Sequence, residues 1–111
     1  MHQLANGVNR RGAIRRKPKG VQVCCRRGAA GVGTDIAMLL RSISESGARL
    51  LVTSALDSGE EVEVEFRSAS YPKVIRLRAE VVRCKACPGG AYCAAVQFQK
   101  RLDYAEFSRL T

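Results

Sequence analysis

The chain has no tryptophan and a single histidine, His2. Without an internal imidazole, the body of the protein lacks the commonest general base and metal ligand. Phe, Tyr and Trp together make up 5% of the residues, and none lies in the first 27. The stacking platforms used by single-strand nucleic-acid binders are therefore missing where positive charge is densest. No apolar run approaches the roughly 18 residues that span a bilayer. The first arginines are not followed by the apolar stretch of a secretory signal, so a cytoplasmic protein is expected. Serines are present, but no nucleophile-elbow pattern pairs one with a base. These absences argue against an enzyme.

Acidic residues are also missing from residues 1–27, which carry Arg10, Arg11, Arg15, Arg16, Lys17, Lys19, Arg26 and Arg27. Nearly all of the formal +9 resides there, and the remaining sequence is close to neutral. Such an arm suits a phosphate-bearing partner: nucleic acid, nucleotide or anionic lipid. At 111 residues the chain has the size of one domain, with a flexible lead-in expected over 1–9 and the domain over 10–111. Five cysteines, an odd number, argue against a complete disulfide framework, and free thiols are expected. One of Cys24 and Cys25 could join Cys84, Cys87 and Cys93 around zinc. The preferred reading has Cys84 and Cys93 facing each other across a hairpin as small buried hydrophobes.

Alternation of apolar and polar residues predicts strands. Val21, Val23 and Cys25 share one face, and residues 36–43 form a second strand that ends in a turn at 44–47. Extended structure resumes over 48–52. Val62, Val64 and Phe66 then alternate with Glu61, Glu63 and Glu65, as in a strand with one solvated face. Pro72 predicts a loop. Ile75, Leu77, Ala79 and Val81 mark a further strand, Pro88-Gly89-Gly90 a turn, and Ala94, Val96 and Phe98 a last strand. Asp103 is a fitting N-cap for a short helix with Tyr104, Phe107 and Leu110 on one face. About six short strands with turns between them predict an all-β, small antiparallel barrel, closed to avoid free edges, with a C-terminal helix and a flexible basic N-terminal arm.

Two motifs bear on function. Arg11-Gly12-Ala13-Ile14-Arg15 is an R-x-x-x-R, flanked by Arg10 and Arg16. Arginine forks grip phosphate bidentately, dock on guanine edges and stack on bases. Ser42-Ile43-Ser44-Glu45-Ser46-Gly47 follows one strand and a loop later. This order and spacing resemble the PilZ family, bacterial receptor domains for cyclic di-GMP, whose pattern is R-x-x-x-R before the first barrel strand and [D/N]-x-S-x-x-G after the second. The resemblance covers about residues 10–110, with Ala95-Val96-Gln97-Phe98 near its end. It implies a six-stranded PilZ-like barrel and a non-enzymatic receptor or adaptor. The implied ligand is cyclic di-GMP, held by Arg10, Arg11, Arg15, Arg16, Ser42, Ser44 and Gly47, with no metal or other cofactor and with a protein effector as partner. The expected mechanism is an arm that orders on ligand binding and so alters a protein-interaction surface. Ser42 stands where the family has Asp or Asn. A neutral hydroxyl forgoes a charge-assisted hydrogen bond worth about 1 kcal/mol or more, a roughly tenfold loss in affinity. The alternatives are a degenerate barrel acting only in protein–protein contacts and a nucleic-acid binder acting through its arm.

Overall fold

The computed structural model describes residues 15–28, 32–69 and 71–111. Among them are six strands, β1 Val21–Arg27, β2 Ala37–Ile43, β3 Gly47–Val52, β4 Glu61–Ser68, β5 Tyr71–Ala86 and β6 Tyr92–Phe98, followed by the helix α1 Tyr104–Leu110. All neighbouring strands are antiparallel, in the order β1-β4-β5-β6-β3-β2. The outermost strands of that order, β1 and β2, meet at one end. There the Ile36 amide donates to the Cys25 carbonyl at 2.8 Å and Arg26 bridges to Asp35. The sheet is thus a nearly closed barrel, as the alternation predicts.

The 16-residue β5 turns the sheet on itself. Residues 71–80 pair with β4 and residues 79–86 with β6, with a register shift between Val81 and Arg83. Such a bulge bends a strand and increases its twist. Inward-facing side chains fill the interior. Val62, Val64 and Phe66 of β4 are fully buried, and the Phe66 ring meets Phe98 edge-on with centroids 6.0 Å apart. In α1 the Asp103 side chain accepts from the Glu106 amide while the Glu106 carboxylate accepts from the Asp103 amide, a reciprocal cap. Phe107 and Leu110 close one end of the core.

Four expectations need correction. Pro72 does not break the chain but lies near the start of β5. The pairing there skips from Ser68–Tyr71 to Phe66–Ile75, so no ladder hydrogen bond is required of its missing N–H. Tyr104 is exposed, because a seven-residue helix touches the barrel only along the side of Phe107 and Leu110. Glu65 lies on the outer face, yet it is buried by arginines. Cys93 faces Lys85 across the β5–β6 hairpin and is disulfide-bonded to Cys87, while Cys84 faces Ala94; the bulge shifts the expected register.

Candidate functional site

The turn between β2 and β3 is held by its own serine. Ser44 is buried, and its hydroxyl accepts from the Gly47 amide at 3.1 Å and the Ser46 amide at 3.3 Å. The Ser44 amide donates to the Gly47 carbonyl at 2.8 Å. Gly47 is pressed against β6, so a Cβ there would run into the Val96 carbonyl oxygen. The turn is also bonded outward: Phe98 N donates to Ser46 O and Leu102 N to Glu45 O, both at 2.8 Å. Motif spacing here fixes a rigid platform at the end of β2.

The described part of the basic arm is tied to that platform. Arg16 and Ile43 exchange backbone hydrogen bonds of 2.8 and 2.9 Å, and the Arg16 guanidinium lies 5.9 Å from the centre of the Phe107 ring. Lys19 N donates to Leu110 O at 3.1 Å. Arg15 is half-buried, with Nη1 shielded from solvent. Arg15, Arg16, Ser42, Ser44 and Gly47 therefore gather around the same end of β2. Arg10 and Arg11 lie outside the described residues.

Strand register adds cations that no linear motif reveals. Ser42 is opposite Arg49, Arg49 opposite Ala95, and Ala95 opposite Arg83, one row crossing β2, β3, β6 and β5. Arg49 and Arg83 point outward on either side of Ala95, whose single methyl leaves the space between them open. An open cleft of about 370 Å³ lies there, lined by Arg41, Arg49, Arg83 and Lys85 with Ala95 and Cys93. None of these four cations has a carboxylate within 4 Å among the described residues. Periodicity could have placed Arg49 and Arg83 on an outer face, but only the pairing sets them in one row with Ser42.

On the opposite side four arginines meet carboxylates. Glu65 is met by Arg26, Arg67 and Arg76 at 3.2–3.4 Å, Arg27 grips Glu60 at 2.7 Å, and Arg76 also approaches Glu63 at 3.8 Å. Burial alone would push the Glu65 pKa up, but the hydrogen bond and charge of Arg76, with Arg67, outweigh it and hold the carboxyl below its ordinary value. Asp35 is likewise pushed up by burial but lowered overall by the Cys25 and Ala37 amides that donate to it. The barrel thus sorts its charge. Arg26, Arg27, Arg67 and Arg76 pair with carboxylates of β4 and the turn before it, while Arg41, Arg49, Arg83 and Lys85 have no carboxylate within 4 Å among the described residues.

Among the described residues no group of three or more His, Cys, Asp and Glu side chains is placed to hold a metal ion, and no helix is long and apolar enough to cross a membrane. The family model of the PilZ domain matches residues 9–111, and the chain belongs to that family of cyclic di-GMP receptor and adaptor modules, which are generally non-enzymatic. None of the curated proteins matches it. Among solved structures it is similar to the inhibitor of motility MotI/DgrA of Bacillus subtilis, with a TM-score of 0.63 and 16% identity, over 88% of this chain. The match covers 46% of that protein, so this chain spans about half its length; at such identity the likeness shows a shared fold.

Proposed function

We propose that this chain is a non-enzymatic receptor for cyclic di-GMP that uses its basic arm and the outer row of the barrel as two walls of one site. The observation that carries this reading is the set of Arg41, Arg49, Arg83 and Lys85, without a carboxylate partner among the described residues, near the end of β2 to which Arg16 is bonded. A ligand with two phosphates and two guanines suits that layout. Arg11 and Arg15 supply forks for phosphate and guanine edges from the arm, while Arg49 and Arg83 approach from the sheet. Ser42, half-buried at the head of the row, offers a hydroxyl to a guanine edge. Ser44 and Gly47 contribute by holding the turn in shape. Binding draws the residues before Arg15 onto the platform and changes the surface that a protein partner reads.

Fluorescent cyclic di-GMP titrated at two salt concentrations, with Arg83→Ala alongside, tests the reading. Losing a charge-assisted contact of about 1.5–3 kcal/mol weakens binding on the order of tenfold to a hundredfold. If a mixed-sequence oligonucleotide instead binds with steep salt dependence and displaces the dinucleotide, the arm is a nucleic-acid grip. A second reading is favoured by Ser42 and by the Ser44 hydroxyl, already engaged within the turn. In it the barrel serves protein contacts alone, and no dinucleotide binds until Ser42→Asp is introduced.

A further inference from the structure

The five cysteines fall into two environments. Cys25 is fully buried, and its thiol is pushed up to about 12 by desolvation and by Asp35 and Glu60. Cys24 is raised for similar reasons, burial first and then its hydrogen bond with Asp35. Cys84 turns toward the core, with its Sγ 3.5 Å from the Leu56 amide. Cys25 is thus hidden, Cys24 is a poor nucleophile beside Asp35, and Cys84 is turned away from the cations of the cleft. Cys93 differs in its neighbours: half-buried like Cys24 and Cys84, it faces Lys85 across the hairpin and lines the cleft together with Arg41, Arg49 and Arg83. Four cations around one cleft stabilise a thiolate, the reactive form. Its partner Cys87 is also partly exposed, six positions away on the other arm of the hairpin. The hairpin is already closed without that bond, by the Cys87 amide on the Ala91 carbonyl at 2.8 Å and by the pairing of Ala86 with Tyr92. A link across so short a loop, already hydrogen-bonded, adds less to the fold than one that closes a long loop. Its place on the cleft wall suggests another use.

We propose that Cys93 and Cys87 are a reversible thiol pair, oxidised by a hydroperoxide, whose state sets the anion affinity of the cleft. In the reduced protein the Cys93 thiolate attacks a peroxide oxygen. The O–O bond breaks, the departing oxygen takes a proton, and Cys93 becomes a sulfenic acid. The Cys87 thiolate then attacks the Cys93 sulfur, the S–S bond forms, and the hydroxyl leaves as water after taking a proton. In sum two thiols lose two electrons and two protons, and hydrogen peroxide is reduced to two waters. A dithiol reverses the step by exchange through a mixed disulfide. Reduced, the thiolate offsets part of the charge of Arg41, Arg49, Arg83 and Lys85; oxidised, the sulfur is neutral and bonded to Cys87. The oxidised form therefore binds phosphates more tightly. This coupling rests on the reading of the cleft as a phosphate site.

The test uses the full chain, reduced without oxygen and then treated with an equimolar amount of hydrogen peroxide. Alkylation with iodoacetamide and peptide mass spectrometry follow. Cys87 and Cys93 should lose alkylation together, with loss of two hydrogens, and regain it with dithiothreitol, while Cys24, Cys25 and Cys84 remain thiols. Lys85→Gln should slow the peroxide step several-fold. Oxidation at Cys24 or Cys84 instead, a bond that dithiothreitol fails to open in the folded protein, or an unchanged rate in Lys85→Gln overturns the proposal. Affinity is then compared between the two states with cyclic di-GMP and with inorganic pyrophosphate, which needs only the cations. Several-fold tighter binding in the oxidised state, absent from the Cys87→Ser/Cys93→Ser variant, supports the coupling; equal pyrophosphate affinities overturn it. Failure of the dinucleotide to bind in either state, with the pyrophosphate difference intact, counts against the receptor reading alone.

Discussion

Gly47 has no room for a side chain, and that constraint comes from the barrel rather than from any ligand. A methyl placed there meets the Val96 carbonyl of the neighbouring strand, so β3 and β6 would have to part. Gly47→Ala is expected to destabilise the fold by about 1–3 kcal/mol, the usual cost of overpacking, read as a lower urea midpoint. Two residues away from the buried Ser44, Ser42 is half-buried and stands in the row with Arg49. On the proposed reading it is where affinity can be tuned. Ser42→Asp restores a charged acceptor toward a guanine edge and is expected to tighten cyclic di-GMP binding roughly tenfold, measured by titration. No gain in affinity would mean that Ser42 does not face the ligand.

At the scale of the element, β4 shows how one strand serves both core and charge. Its inward residues Val62, Val64 and Phe66 are buried, while Glu65 on the other face collects arginines from β1, β4 itself and β5. Those arginines remain partly exposed, so Glu65→Gln removes their shared negative charge and one acceptor oxygen without stranding a fully buried charge, and a loss of about 1–3 kcal/mol is expected. The pH dependence has a definite sign. The carboxyls of Glu65, Glu60 and Asp35 lie below their ordinary values, so their stabilisation is complete above the ordinary carboxylate range of about pH 4 and disappears as pH falls through their lower folded values. Thermal melts from neutral pH into acid should show wild type losing more stability than Glu65→Gln, the two curves converging at the acid end.

At the scale of the molecule, the barrel was legible in the alternation of Val62, Val64 and Phe66 and of Ile75, Ala79 and Val81, because each strand has one dry face. The helix cap was legible in Asp103, and Glu106 completes it in the structure. Two things were not. Burial of Glu65 depends on three side chains brought from different strands, which a local pattern reads as a solvated face. Arg49, Ala95 and Arg83 align with Ser42 only through register across four strands, and β5 reaches that register through a bulge after Val81. The same bulge sets Cys93 against Lys85 instead of Cys84. Linear motifs therefore marked the arm and the turn, and only the fold shows the row of cations that runs across the sheet from Ser42. Calorimetric titration with cyclic di-GMP, comparing wild type with Arg15→Ala and Arg83→Ala, tests that union most directly. The account predicts saturable heat for wild type within tens of micromolar and at least about tenfold weaker binding for each variant. No saturable heat, or binding untouched by both substitutions, would contradict it.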